Sequence, residues 1–305
     1  MSTENIIQVE HLIKRFGATD AVNDLSMTIP AGRITAFLGP NGAGKTTTIK
    51  CLLNLHQPDS GKITVLQTRS TKLRPEHFQH IGYVSENQEL PDWMTVTQYL
   101  DYCRPLYPQW DQAFETKMLK EFDLPGTSRL KDLSRGMRMK ASLLSSLAYR
   151  PKLVVLDEPF SGLDPLVRDE FIHGLLELTE NEAWTVLISS HDIDEVERLA
   201  DDVAIIDRGK LPLHETTDNL TARFRRVETT FAGENLPTEL PESWLDVQQA
   251  GRVLRFTESD YQAGEFSARF HATFPGESAP NTTAMNLREI FVTLAKTFRL
   301  KSEEH

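Results

Sequence analysis

The chain has 305 residues, of which 39% are hydrophobic and 25% charged, enough apolar material for one large core and a small appended one. Its formal net charge of -11 argues against a nucleic-acid binder, which presents a clustered positive field, and is compatible with an acidic face docking on the Lys/Arg-rich cytoplasmic loops of a membrane protein. Cys51 and Cys103 are too few for a disulfide framework and have no metal-ligand spacing around them. The start, Met1 to Ile7, has neither the basic nor the apolar region of a leader, and apolar runs such as Lys152 to Leu156 stop far short of the roughly 20 residues that cross a bilayer. A membrane role would therefore pass through a partner, and the cytoplasm is the expected address.

In chain order, Ile6–Val9 and Ala21–Ile29 read as strands, and Arg33–Leu38 as a strand running into a Gly-rich loop. Further strands are expected at Leu153–Leu156, Thr185–Ser189 and Val203–Asp207. Up to about residue 210 this is the alternating rhythm of an α/β domain with a mainly parallel sheet. Between about residues 87 and 150 helical patterns take over. Thr95 and Gln98 have capping-box spacing, Asp111 precedes a Phe114/Met118/Phe122 stripe, Pro125-Gly126 stops that helix, and another begins after Ser134. Past Gly209, Pro212–Leu220 reads as a linker with a short helix. Leu245 to Phe256 suggests a hairpin around Gln249-Ala250-Gly251, Ser267–Phe274 alternates weakly as a strand would, and Leu287–Phe298 closes the chain as a helix. The expected division is an α/β domain over 1–211 with its helical insert at 87–150, a linker at 212–225, and a small α+β domain at 226–305.

The loop Gly39-Pro40-Asn41-Gly42-Ala43-Gly44-Lys45-Thr46 fits G-x-x-x-x-G-K-[ST]. Glycines let backbone N–H groups converge on phosphate oxygens. The helix that follows, opening at Thr47, offers its N-terminal N–H groups to the same anion. Lys45 supplies a point charge for the β- and γ-phosphates of ATP, and the Thr46 hydroxyl can coordinate Mg²⁺. Leu153-Val154-Val155-Leu156-Asp157-Glu158 is an apolar strand ending in two carboxylates, where ligands of parallel sheets collect. Asp157 suits the metal, and Glu158 is then free to orient or deprotonate a water. Ser189-Ser190-His191 ends another apolar strand. On spacing alone, His191 is no more than a neighbour of a helix cap.

Taken together these residues resemble the ATP-binding-cassette (ABC) ATPases over Ile7 to Lys210. The discriminating piece is Leu133-Ser134-Arg135-Gly136-Met137, similar to the signature normally read LSGGQ, placed between the phosphate loop and the acidic strand. Ser161-Gly162-Leu163-Asp164 is similar to the family's D-loop, and Asp164-Pro165 also makes an N-cap and N1 pair. The resemblance implies a P-loop NTPase core with a mainly parallel sheet, an antiparallel β subdomain and a helical insert. It implies His191 as the switch histidine at the γ-phosphate and Phe16 as the aromatic against adenine. It also implies head-to-tail pairing with a second cassette, as homodimer or heterodimer, in which Ser134, Gly136 and Asp164 meet the ATP held by the partner.

Two positions depart from the family pattern. The signature carries Arg135 and Met137 where Gly and Gln are usual. The Q-loop position falls on Glu86, a carboxylate still able to bind Mg²⁺, with Gln88 two residues on as the other alignment. The Tyr107-Pro108-Gln109-Trp110-Asp111 stretch and Gly162 to Arg168 are reminiscent of cassettes that pair with separate exporter-type permeases. The implied function is thus the ATP-hydrolysing subunit of a transporter, held on the inner face of the cell membrane by a separate permease. The alternative is a non-transport cassette, acting as a regulatory or nucleic-acid- or ribosome-associated module. From about Leu211 onward the residues carry no chemistry; a contribution to the dimer interface or to closure is the expectation there.

Overall fold

The computed structural model describes residues 4–182, 184–230, 236, 237 and 239–303. The first three residues of the start read for a leader, and residues 231–235 of the C-terminal stretch, lie outside them. The chain forms two compact units, Met1–His214 and Glu215–His305.

The first unit opens with a long hairpin of β1 (Asn5–Phe16) and β2 (Thr19–Pro30). Alternation along these strands buries Ile7, Val9 and Leu12 from one and Val22, Leu25, Met27 and Ile29 from the other. Then come β3 (Ile34–Leu38), α1 (Lys45–Leu52), β4 (Ser60–Val65), β5 (Thr68–Arg69), the short α2 (Pro75–Phe78) and β6 (Ile81–Ser85). Three helices follow, α3 (Val96–Cys103), α4 (Gln112–Glu121) and α5 (Arg135–Leu147). The chain returns to the sheet through β7 (Leu153–Asp157), α6 (Pro165–Glu182), β8 (Thr185–Ser190), β9 (Asp202–Asp207) and β10 (Lys210–Thr216).

Two sheets result. A six-stranded sheet has the order β10-β9-β3-β8-β7-β6, with parallel pairing from β9 through to β6. An antiparallel sheet has the order β2-β1-β4-β5. Every residue of β3, β7 and β8 is buried. That is why these strands read as unbroken apolar runs rather than alternating ones. Their carboxyl ends, Leu38, Asp157 and Ser190, lie side by side across the sheet, and chemistry collects there.

The helical insert is fixed by local caps. Thr95 Oγ1 accepts from Gln98 N at 3.2 Å while Gln98 Oε1 accepts from Thr95 N at 2.9 Å, a complete capping box. Asp111 Oδ1 accepts from Phe114 N at 2.9 Å, and Ser134 Oγ from Met137 N at 3.2 Å. The stripe Phe114, Met118 and Phe122 is buried. Its helix stops at Glu121, ahead of Pro125-Gly126, because Asp123 takes a left-handed φ of 50°.

Beyond β9 the reading needs two corrections. Residues 212–216, expected as the start of a linker, belong to β10 at the edge of the large sheet. Within the second unit, Ser267–Thr273 is helical and belongs to α8, with Phe274 at its C-terminal cap. Phe266, Phe270 and Phe274 repeat every four residues and pack together with Trp244, Phe256, Val227 and Leu254, so the helical period wins over a weak alternation. This unit comprises α7 (Thr217–Arg223), β11 (Arg225–Thr230), β12 (Trp244–Ala250), β13 (Val253–Glu258), α8 (Ala263–Thr273), β14 (Asn281–Ala284) and α9 (Leu287–Glu303). Its antiparallel sheet has the order β12-β13-β11-β14, with the expected hairpin between β12 and β13. Glu258 is fully buried there, accepting from Trp244 Nε1 at 3.0 Å and Arg269 Nη2 at 3.1 Å.

Candidate functional site

The Gly-rich loop leaves the end of β3 and turns directly into α1. Gly44, the residue before the helix, has φ 112°, a conformation closed to side chains, and an added Cβ would also collide with the carbonyl of Ala21. Because the cap position is glycine, no side chain satisfies the first N–H groups of α1, and its first turn carries no acid. A helix start left in that state is an anion site. Gly39 is close-packed for a different reason: a Cβ there would strike the backbone of Ile206 in β9. Ala43 is buried, and its carbonyl accepts from Gly209 N at 2.8 Å, pinning the loop to the sheet. A cleft of about 160 Å³ opens above the loop, lined by Ala21, Asn41, Gly42, Gly44, Lys45, Thr46, Thr47, Glu86 and Glu158.

Lys45 is buried and folded back over its loop, with Nζ donating to the carbonyls of Gly39 at 2.5 Å and Pro40 at 3.1 Å. The same Nζ lies 3.0 Å from Glu158 Oε1. Glu158 follows the last residue of β7 in a left-handed conformation, φ 53°. That turn swings its carboxylate toward the loop, a strained geometry of the kind that collects at reactive positions. Its other oxygen, Oε2, is 2.8 Å from His191 Nδ1. An ionised carboxylate only accepts, so with Glu158 ionised Nδ1 is the donor in this contact.

Thr46 Oγ1 donates to Asp157 Oδ1 at 3.1 Å, bringing together two of the three oxygens expected to hold a metal. Ser189 Oγ donates to the same Oδ1 at 2.7 Å and accepts from Glu158 N at 3.0 Å. Burial raises the Asp157 carboxyl above the ordinary carboxylate range, against the pull of these two hydroxyls. The third oxygen donor, Glu86, accepts from Ser161 Oγ at 2.7 Å and faces the cleft. Gln88 does not line this cleft; with Glu86 it lines a neighbouring groove of about 280 Å³ beside Arg135, Arg138, Met139 and Ser142.

Phe16 is 47% exposed at the end of β1, edge-on to His56 at 5.4 Å and beneath Lys14 Nζ at 5.2 Å, so it is no core residue. The signature and D-loop residues do not line the cleft. Ser134 caps α5, Gly136 lies against Val167 of α6, where a Cβ would meet Cγ1 at 2.5 Å, and Asp164 Oδ1 accepts from Val167 N at 3.0 Å. Arg135 lays its guanidinium on Gly162 and comes within 4.0 Å of Glu86 Oε1. Ser189 and Ala21 were not legible as site residues. Ser189 enters through the register Asp157↔Ser189 between β7 and β8, which no local pattern announces.

Comparison with known proteins agrees with this geometry. A family profile described as ABC transporter matches residues 22–161. The uncharacterized ABC transporter ATP-binding protein YhcH of Bacillus subtilis is 32% identical over 213 residues, 68% of this chain and 69% of that protein. The chain belongs to the ABC transporter ATP-binding proteins. Over nearly its whole length it also resembles the bacitracin transport ATP-binding protein BcrA of Enterococcus faecalis, at 27% identity over 300 residues, 96% of this chain and 97% of that one. Among solved structures it resembles an ATP-binding subunit of an ABC transporter, with a TM-score of 0.64 at 27% identity, covering 71% of this chain and 92% of the other. It further resembles cbiO1 of Clostridium perfringens, part of the complex cbiONQ, with a TM-score of 0.61 at 26% identity, covering 70% and 89%. As a member of the ABC transporter family, the chain is an ATP-binding, ATP-hydrolysing transporter subunit. Among the described residues no helix is long and apolar enough to cross a membrane.

Proposed function

We propose that this subunit hydrolyses Mg²⁺-bound ATP in the Gly39–Thr47 cleft, with Glu158 as the base and Lys45 and His191 as its charged neighbours. The observation that carries the proposal is Glu158 held between Lys45 Nζ at 3.0 Å and His191 Nδ1 at 2.8 Å, beside a helix start that no side chain caps among the described residues. The N–H groups of Gly42, Gly44, Lys45, Thr46 and Thr47 would take the phosphates, with Asn41 at the loop's rim and Phe16 against adenine. Thr46, Asp157 and Glu86 would hold Mg²⁺, a hard cation that takes oxygen ligands of this kind. When bound, the ion neutralises charge building on the β- and γ-phosphates. Glu158, released from Lys45 once phosphate takes the lysine, would orient the attacking water and accept its proton, and His191 would steady the γ-phosphate.

Ser134, Gly136 and Asp164 lie away from the cleft and act on the ATP of a second cassette, either another copy of this chain or a different one. A separate membrane permease receives the motion, which holds the subunit at the inner face of the cell membrane. The C-terminal unit, entered within residues 212–225, supports that pairing or its closure.

Mg²⁺-dependent ATP hydrolysis and self-association, measured on the parent and on Glu158→Gln, test the reading. The expected result is turnover in the parent, and loss of turnover with ATP-stabilised dimers in the variant. A Glu158→Gln protein that still turns over at the parent rate removes Glu158 as the base.

A further inference from the structure

A part-buried ion pair, Arg168 with Glu195, reaches the neighbour of His191 through Ser190 and is not used by the mechanism above. Glu195 follows His191 by four residues and is almost fully buried. Its Oε2 accepts from Ser190 Oγ at 2.5 Å, and its Oε1 lies 3.3 Å from Arg168 Nη2. Ser190 is the last residue of β8 and the immediate neighbour of His191; its Oγ also accepts from Asp192 N at 3.0 Å, so the hydroxyl ties together both sides of the histidine. Arg168 belongs to the first turn of α6. Its N–H donates to the Asp164 carbonyl at 3.0 Å, and Asp164 caps that helix through Val167. Arg168 Nε is buried without a hydrogen-bond partner among the described residues, and the guanidinium meets Glu195 through Nη2.

We propose that Arg168 and Glu195 are positioning residues that hold His191 in register with Glu158, linking the D-loop end of α6 to the switch histidine through Ser190. The link rests on the role given to His191 above. A buried ion pair adds little to stability over an apolar pair of the same shape, but removing one partner leaves the other uncompensated. What this pair supplies is geometry. The path runs from Asp164, which the proposed function sets against the second cassette, through Arg168, Glu195 and Ser190 to the ring that hydrogen-bonds Glu158.

The test is a double-mutant cycle on the full chain, with single-turnover and steady-state ATP hydrolysis for the parent, Glu195→Gln, His191→Ala and the double variant. Glu195→Gln is expected to lower kcat about ten-fold, to leave KM for ATP within about two-fold, and to change nothing further once His191 is alanine. Parent-like kcat in Glu195→Gln overturns the link, as does a loss that repeats in full in the His191→Ala background. If His191→Ala itself keeps the parent kcat, the assignment of His191 falls and the link with it. Should Glu195→Gln fail to fold, Ser190→Ala, which removes only the bridging hydroxyl, is read in the same cycle with the same criteria.

Discussion

Lys45 Nζ and Glu158 Oε1 stand 3.0 Å apart, so the cation proposed for phosphate and the carboxylate proposed for water hold each other. Both side chains are buried, and neither keeps a solvent shell to fall back on. Replacing Lys45 with alanine therefore removes the proposed phosphate ligand and also strands the Glu158 carboxylate against His191 alone. Lys45→Ala is expected to weaken ATP binding by at least ten-fold in calorimetric titration, the loss of one charge-assisted contact of about 1.5–3 kcal/mol. Parent-like affinity would show that Lys45 does not meet the nucleotide.

His191→Ala separates binding from chemistry. The ring touches Glu158 and is not among the residues lining the cleft. Its removal is expected to lower kcat by about 10²-fold or more, a typical size for a group acting on a catalytic base, with KM for ATP changed less than three-fold. A KM that rises in step with an unchanged kcat would make His191 a binding residue only.

Gly162 is the seat of the Arg135 guanidinium and has φ 67°. Gly162→Ala adds a methyl group both in a left-handed conformation and against that guanidinium. A loss of about 1–3 kcal/mol in denaturant unfolding is expected. Arg135→Gly in the same background should return the part due to the collision and leave the backbone part. If the second substitution returns nothing, Arg135 yields freely and the packing carries no energy.

In the second unit, Glu258 is fully buried against Trp244 and Arg269. Glu258→Ala is expected to cost about 3 kcal/mol, the usual consequence of breaking a buried pair from one side. Trp244, stacked on Phe256 at 4.1 Å, reports that loss through its fluorescence. An unfolding midpoint equal to the parent's would show the pair to be dispensable.

Burial lowers the pKa of His214, partly countered by the charge of Asp202. The folded protein thus binds a proton at His214 less readily than the unfolded chain, and stability falls as pH drops below the ordinary histidine value of about 6.5. The full contribution is present above that pH. His214→Gln should flatten the decline of the thermal midpoint between about pH 6.5 and 5.5. An unchanged slope assigns that decline to other groups.

The parts of this molecule legible in its sequence are those decided within a few residues. The caps Thr95, Asp111 and Ser134 and the glycine loop each follow from side chains adjacent to the backbone they satisfy. What needed the structure was pairing at a distance. Ser189 joins Asp157 only because β7 and β8 lie in one register, and Arg168 meets Glu195 from an element 27 residues away. Ser267–Phe274 was misread because a four-residue aromatic repeat and a two-residue alternation overlap over so short a span, and the packing of Phe270 on Trp244 decides between them. The edge strand at 210–216 was missed because its residues are only partly buried, so its apolar alternation is faint.

Helices α3, α4 and α5 each begin with a residue whose own side chain closes the first turn, whereas α1 begins with Gly44 and closes nothing. On the proposed reading, the phosphates of the nucleotide would complete the first turn of α1. The slowing of amide hydrogen exchange over Lys45–Thr48 on adding ATP then measures occupancy directly, and the loop's local order becomes a gauge of the nucleotide supply around it.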